Sequence, residues 1–235
     1  MPKQSSSDLY VTGIVKADRL LQRDGTALLI GMLLDQQVPM EWAFTGPHTL
    51  TERFGHLDPR KFAEMDVERF VTRCCEKPAI HRFPASMARR IHELCGIIAD
   101  QYANKGANIW KDVDDASELY ARLRKLPGFG DEKARIFIAL LAKRFGIAPE
   151  GWQKVAKPFG DHRMRTVADI DVSDFEVARL EPLGPGIQRQ RVQLGQDRDQ
   201  LGQRIIGQMR IGDMSLRAID IDEDVDRSAP PDLHH

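Results

Sequence analysis

Leu126-Pro127-Gly128-Phe129-Gly130 is the stretch that decides the fold, and Asp131-Glu132-Lys133-Ala134 and an apolar run to Leu141 follow it directly. Two glycines separated by one residue lie between two helical patterns, which predicts a tight turn because glycine readily adopts positive φ. The turn leaves backbone N–H groups uncovered at the start of the second helix, where the helix dipole favours an anion. The sequence therefore predicts a helix–turn–helix that holds a phosphate through its backbone.

The composition indicates a chain with a sizeable core and no overall charge bias. The chain has 235 residues, of which 42% are hydrophobic and 29% charged, and its net charge is -1. That length allows one or two domains, and any nucleic-acid site must be a local basic patch. No apolar run reaches the roughly 18 residues of a membrane span. Met1–Asp8 lacks the apolar core of a signal peptide. We therefore expect a cytoplasmic protein without a membrane partner.

The cysteines speak against a disulfide framework and against a metal cluster. The chain has three of them, Cys74, Cys75 and Cys95, and an odd number with two adjacent residues fits a reducing compartment. No CxxC pair is present, so we expect no iron–sulfur cluster and no metal bound by side chains.

Apolar periodicity predicts an all-α bundle of short helices, since strand signals are almost absent after residue 14. From Gly25 to Leu34 the sequence is apolar nearly all round, which indicates a buried helix that ends near Asp35. A further helix is expected through Trp42 and Phe44. The other predicted helices lie near residues 47–54, 59–64, 66–74, 84–103, 115–124, 130–145 and 161–168.

Composition shifts predict three regions. Residues 1–24 form a leader, residues 25–181 form the main domain with its hairpin at 124–136, and residues 182–235 form a tail rich in Gln, Arg, Gly and Asp. Seven of the thirteen glutamines lie between Gly186 and Arg210, and no lysine follows Lys157. Such a composition buries little apolar surface, so we expect the tail to be mostly disordered.

Three motifs occur in order along the chain. Leu28 to Gln37 is an apolar helix that ends in glutamines, Leu126 to Ala134 is the hairpin, and Gly160-Asp161 places a carboxylate among basic residues. Together they resemble the HhH-GPD superfamily of base-excision DNA glycosylases, which includes endonuclease III, the adenine glycosylase for mispairs and the 3-methyladenine glycosylase. The resemblance covers residues 25–170 and is greatest to an actinobacterial-type branch.

The resemblance implies two helical lobes with a cleft between them. Residues 30–125 would form one lobe, and the N-terminal segment together with the chain after the hairpin would form the other. It also implies that Asp161 is the catalytic residue, because a carboxylate near C1′ stabilises the developing charge and deprotonates a water. From the residues alone, Asp161 is equally suited to cap a helix N-terminus.

Two departures from the family pattern affect the expected chemistry. Members with lyase activity carry a lysine two residues after the second hairpin glycine, where this chain has Glu132. Lys133 follows one step later, and one residue on a helix turns a side chain by about 100°. We therefore expect a monofunctional glycosylase that uses water. The loop Ile147 to Pro158 lengthens the distance from the hairpin to Asp161.

The resemblance also implies which residues meet DNA. Gln37, with Gln36 as the competing position, would fill the hole left by a base that swings out of the duplex. A local basic patch for the phosphate backbone is expected at Lys133, Arg135, His162, Arg163 and Arg165. A weaker second basic patch contains Arg82, Ser86, Arg89 and Arg90. In the family the hairpin carbonyls also hold a monovalent cation. The expected DNA-binding residues are Gln37, Leu126, Pro127, Gly128, Phe129, Gly130, Lys133, Arg163 and Arg165.

Trp42 and Phe44 are the candidates for a base pocket, since aromatic faces stack on electron-poor alkylated purines. Two such residues at this spacing are also typical of a core. The resulting hypothesis is a monomeric, nucleoid-associated base excision repair enzyme that acts on damaged double-stranded DNA without cutting the strand. The alternatives are a catalytically inactive helix-hairpin-helix DNA-binding module and a helical interaction protein without DNA affinity.

Overall fold

A computed structural model describes residues 9–161, 163 and 166–169 of the chain. These residues form an all-α fold, as predicted, whose sole β feature is an isolated bridge between Asp115 and Glu150. The helices are α1 (Val15–Arg23), α2 (Gly25–Leu34), α3 (Met40–Phe54), α4 (Pro59–Ala63), α5 (Val67–Cys75), α6 (Pro84–Gln101), α7 (Ala116–Leu123), α8 (Asp131–Arg144) and α9 (Trp152–Val155). Two 3₁₀ turns lie at Gly106–Ile109 and Val167–Asp169.

Helix α2 runs through the core of the fold. It begins where the Asp24 side chain accepts hydrogen bonds from the N–H groups of Thr26 and Ala27, which is an N-cap. Every residue from Thr26 to Leu34 is buried, as its unbroken apolar sequence predicts. At Gly31, an added Cβ would lie 2.7 Å from the Phe44 ring, so only glycine lets α3 approach this closely.

The helices pack in two groups. Helices α1, α2 and α3 pack on one another, and α4 and α5 pack on α6. The second group consists of α7, α8, α9 and the turn Val167–Asp169. Helix α1 therefore packs with α2 and α3, whereas the sequence analysis placed the N-terminal segment with the chain after the hairpin.

The hairpin Leu126–Gly130 connects α7 to α8 and is anchored by apolar side chains. Leu126 and Phe129 are buried, and the Phe129 ring meets the Phe137 ring of α8 edge-on at 5.8 Å. Tyr120 of α7 donates a hydrogen bond to Asp131 in the first turn of α8. These contacts fix the angle between the two helices, which leaves the turn itself at the surface.

Three elements differ from the sequence-based prediction. The region interpreted as a leader contains α1, which Asp18 ties to the preceding chain by accepting from the N–H groups of Val11 and Thr12. Helix α3 runs unbroken through Pro47, where two helices were expected. The helix predicted at 161–168 is not formed over its described residues: Asp161, Arg163 and Thr166 are bends, and only the short turn Val167–Asp169 follows.

Among the described residues, no helix is both long and apolar enough to cross a membrane. The predicted tail, residues 182–235, lies outside the described residues, and so do His162, Met164 and Arg165.

Candidate nucleic-acid interface

The hairpin presents unpaired backbone N–H groups at its exposed end. Gly128 has φ of 77°, the left-handed region that glycine adopts most easily, and Gly130 is the N-cap of α8. The Ala134 N–H donates to the Gly130 carbonyl, whereas the N–H groups of Asp131, Glu132 and Lys133 have no acceptor within the described part of the chain. A phosphate oxygen is the kind of acceptor that this arrangement suits.

One of the hairpin carbonyls, which the resemblance expects to hold a monovalent cation, already has a cationic partner. The guanidinium of Arg124 donates a 2.9 Å hydrogen bond to the Phe129 carbonyl, so a second positive charge at that oxygen would be repelled. Over the residues that the structure describes, no group of three His, Cys, Asp or Glu side chains could hold a metal ion.

The hairpin packs directly against the C-terminal end of α2. A Cβ built on Gly128 would lie 3.4 Å from Cγ of Leu33 and 3.6 Å from Nε2 of Gln36. From the first turn of α8, Lys133 Nζ donates a 2.9 Å hydrogen bond to the Leu33 carbonyl, one of the acceptors that a helix end leaves unpaired. The hairpin and the glutamine pair therefore adjoin each other.

The two adjacent glutamines have different environments. Gln36 is held in place: Nε2 donates to the Leu33 carbonyl, Oε1 accepts from Arg90, and its backbone carbonyl accepts from His81. Gln37 is exposed, has φ of 56°, and its side chain has no hydrogen bond to any described residue. Of the two glutamines, Gln37 is therefore the one whose side chain is available to a ligand. Arg90 of the second basic patch holds the Gln36 side chain in place.

Asp35 and Lys133 form the most perturbed pair of charges in the described chain. Burial raises the pKa of Asp35 to about 6, although the Lys133 ammonium opposes the rise and Glu41 adds to it. Burial lowers the pKa of Lys133 to about 8 against the opposing effect of Asp35. Both side chains are partly buried and influence each other electrostatically. The distance between the Asp35 carboxylate and the Lys133 ammonium exceeds the 4 Å of a direct ion pair. On the same turn of α8, Glu132 faces solvent.

An aromatic surface adjoins this pair. Trp42 is exposed and stacks on His81 at 6.3 Å, and His81 contacts the exposed ring of Phe83 at 6.0 Å. The Phe83 N–H donates to Nδ1 of His81, so Nε2 carries the proton and donates to Gln36. Burial lowers the pKa of His81, which keeps the ring neutral at pH 7.

Phe44 does not belong to this aromatic surface. Its side chain is fully buried against Gly31 and forms part of the core, so Phe44 does not line the base pocket that was expected from Trp42 and Phe44. The aromatic spacing of two residues in a helix places the two rings on different faces, one inward and one outward.

Asp161 lies at the other end of α8 from the hairpin. Its backbone carbonyl accepts a 2.5 Å hydrogen bond from Lys143, ten residues after Lys133 and about 15 Å further along the helix axis. The side chain accepts from the N–H of Arg163, whose own side chain is largely exposed. The structure thus brings together Gln37, the hairpin and Lys133, and places Asp161 and Arg163 apart from them. Arg165 lies outside the described residues.

The sequence analysis did not single out Asp35, His81 or Phe83. Asp35 directly precedes the two glutamines, which was the available signal. His81 and Phe83 flank Arg82 in the second basic patch, but the chain alone does not place that loop beside α2.

Comparison with known proteins gives two findings. The model of the HhH-GPD superfamily base excision DNA repair protein matches residues 30–180, more than half of the chain. A solved structure described as a trapped endonuclease III–DNA covalent intermediate, an estranged-adenine complex, is similar at 19% identity and a TM-score of 0.38. That match covers 69% of this chain and 73% of the other. Among curated proteins, none matches significantly.

Proposed function

Because the chain belongs to the HhH-GPD superfamily of base excision DNA repair proteins, we propose that it binds damaged duplex DNA through the hairpin and hydrolyses the N-glycosidic bond of the damaged base. The observation that carries this proposal is the contact between the hairpin and the end of α2. The hairpin side of this contact carries the free amides at Asp131–Lys133, and the exposed Gln37 lies three residues after the end of α2. One part grips a phosphate while the other replaces the extruded base.

The base would stack on the aromatic surface formed by Trp42, His81 and Phe83. Two of these rings are exposed, and Arg82 lies over the Phe83 ring at 5.3 Å. An aromatic face attracts a cationic ring more than a neutral one, so an alkylated purine is the substrate class that this surface suits best.

Water rather than lysine is the nucleophile in this proposal. The position of the family's lyase lysine holds Glu132, which faces solvent. Lys133 donates a hydrogen bond to the Leu33 carbonyl. Because its pKa is about 8, its amine is mostly protonated at pH 7 and is a poor nucleophile in that form. The product would be an abasic site in an uncut strand.

The alternative of a DNA-binding module without catalysis has one observation in its favour. Asp161, the carboxylate that the resemblance implies for catalysis, lies at the end of α8 remote from the hairpin. Turnover, and not binding, distinguishes the two proposals.

The experiment is a glycosylase assay with the full chain on labelled duplexes that carry alkylated, deaminated, oxidised or mismatched bases, each analysed with and without hot alkali. Strand cleavage only after alkali is the expected result. Cleavage without alkali would contradict the water mechanism and implicate Lys133. Binding of every duplex without base release from any would replace the glycosylase with the DNA-binding module.

A further inference from the structure

We infer that Asp35 is the catalytic carboxylate of this protein and that Lys133 is its positioning residue. This inference rests on the proposed glycosylase function and names the group within it that would activate the water.

One argument is the position of Asp35. It is the C-cap residue of α2 and directly precedes Gln36 and Gln37, at the helix end to which Lys133 donates a hydrogen bond and beside which Gly128 of the hairpin lies. If the Gln37 side chain took the place of a base in the duplex, the sugar of the extruded nucleotide would come close to this part of the surface. Asp161 is held instead by Lys143 near the end of α8.

The Asp35 side chain makes no hydrogen bond that would give it a structural role among the described residues. Its side chain is half-buried and accepts no hydrogen bond from any residue that the structure describes. The aspartates at Asp24, Asp58, Asp66 and Asp115 each cap a helix N-terminus with their side chains. Asp35 occupies the C-terminal end of α2, where the helix dipole disfavours a negative charge.

The ionised form of Asp35 is energetically unfavourable in its surroundings. Burial and Glu41 both raise its pKa, and only Lys133 lowers it. The groups that face the pair are Glu41 of α3 for Asp35, Arg90 of α6 for Lys133, and the neutral His81, whose pKa Lys133 lowers. A half-buried carboxylate at an unfavourable helix end, with no hydrogen bond to the described residues, is a candidate functional group.

The chemical step balances without any added cofactor. As the C1′–N bond breaks, its electron pair leaves with the base, and a water oxygen forms the new bond to C1′. Asp35 accepts one proton from that water and afterwards releases it to solvent. A cationic alkylated base leaves as the neutral base and takes up no proton, whereas an uncharged base takes up one proton from solvent. The products are an abasic sugar with a C1′ hydroxyl and the free base.

The test measures single-turnover base release from the best duplex of the panel by the full-length wild type and its Asp35→Asn variant. Asp100→Asn, a change at an exposed aspartate in the last turn of α6, is the matched control. We expect Asp35→Asn to lower the rate of base release at least 100-fold. Its affinity for a duplex with a tetrahydrofuran abasic analogue should stay within threefold of the wild-type affinity. Asp100→Asn should behave as wild type in both measurements. General acid–base groups contribute about 10²–10⁴-fold, which sets this expectation.

A pH profile tests the role of Lys133. With Lys133→Gln the pKa of Asp35 should rise further, so the acid limb of base release should move to higher pH, whereas loss of a purely structural contact would lower release equally at every pH. Full release by Asp35→Asn, or loss of release only in Asp161→Asn, would overturn the inference and leave the glycosylase function intact. No release by the wild type from any duplex would overturn both.

Discussion

Lys133 and Leu33, one hundred residues apart in sequence, are joined by a 2.9 Å hydrogen bond from the lysine ammonium to the leucine carbonyl. The bond connects the first turn of α8 to the last turn of α2. It therefore holds the free amides after the hairpin in a fixed position relative to Gln37. A protein that must grip a phosphate and displace a base in the same event requires such a fixed distance.

The hairpin backbone can be tested with a matched pair of glycine variants. Gly128 and Gly146 have φ of 77° and 67°, and alanine at either position costs about 1–2 kcal/mol of folding free energy. Relief of the strain at Gly128 would realign the amides of Asp131–Lys133, whereas Gly146 lies after α8 with nothing within 4 Å of an added Cβ. We expect urea unfolding to show similar losses for both variants. Only Gly128→Ala should weaken abasic-duplex binding, by tenfold or more in fluorescence anisotropy. Equal binding by the two would refute the hairpin's role.

Substitution of Gln36 should mainly lower stability, whereas substitution of Gln37 should mainly lower base release. Gln36 makes hydrogen bonds to Leu33 and Arg90, so Gln36→Ala should cost roughly 1–2 kcal/mol of unfolding free energy. Gln37 makes none with the described residues, so Gln37→Ala should change stability by less than about 0.5 kcal/mol. It should nevertheless lower base release at least tenfold, because the space left by the extruded base stays unfilled. Undiminished release by Gln37→Ala, measured beside Gln36→Ala, would exclude Gln37 as the inserted residue.

The aromatic surface should select the base. Replacing Trp42 by leucine keeps an apolar side chain but removes the exposed ring that stacks on His81. Stacking of a base on an aromatic ring is worth about 1–3 kcal/mol, so release of an alkylated purine should fall roughly 5- to 150-fold. Trp152→Leu, at the first residue of α9, is the control. If Trp42→Leu released the alkylated purine as fast as the control, the base would have to bind elsewhere.

Asp35 should make the protein less stable as the pH rises. Its pKa in the folded protein is about 6 and its ordinary value is 3.8, so the folded state holds the proton more tightly than the unfolded chain. The stability contributed by protonated Asp35 is therefore complete below about pH 4 and is lost as the pH rises through 6. We expect Asp35→Asn to be more stable than wild type at pH 7.5 by about 3 kcal/mol, since each unit of pKa difference is worth about 1.4 kcal/mol.

The measurement for Asp35 is urea unfolding of both proteins across pH 4–7.5. The difference between variant and wild type is the informative quantity, because other carboxylates with lowered pKa values, such as Asp58 and Asp131, contribute in the opposite direction to both proteins. A difference that does not change with pH would mean that Asp35 titrates normally.

The fold could be predicted largely because its signals are local. Helix α2 is an uninterrupted apolar run, and the hairpin carries its two glycines beside a helix start, so both were predicted with their ends nearly correct. Helix α1 was missed because it is short and amphipathic, and a contact with chain that precedes it, through Asp18, fixes its start. Pro47 predicted a break that the packing of α3 on α2 overrides.

The candidate site was less predictable because it depends on contacts between distant segments. Nothing within a few residues of Asp35 indicates that Lys133 lies beside it, or that burial raises its pKa. The same holds for His81, which reaches the α2 terminus from a loop 45 residues later in the chain. Phe44 was a pocket candidate because aromatic rings stack on bases, although its spacing to Trp42 is also typical of a core, and the tertiary packing against Gly31 places it in the core.

The most direct test of the central claim, that DNA binds where the hairpin meets the end of α2, is hydrogen–deuterium exchange of the full chain with and without a tetrahydrofuran-containing duplex. The account predicts protection on binding at residues 35–37 and at 126–133. Protection confined to other segments, such as the residues around Lys143 and Asp161, would contradict it.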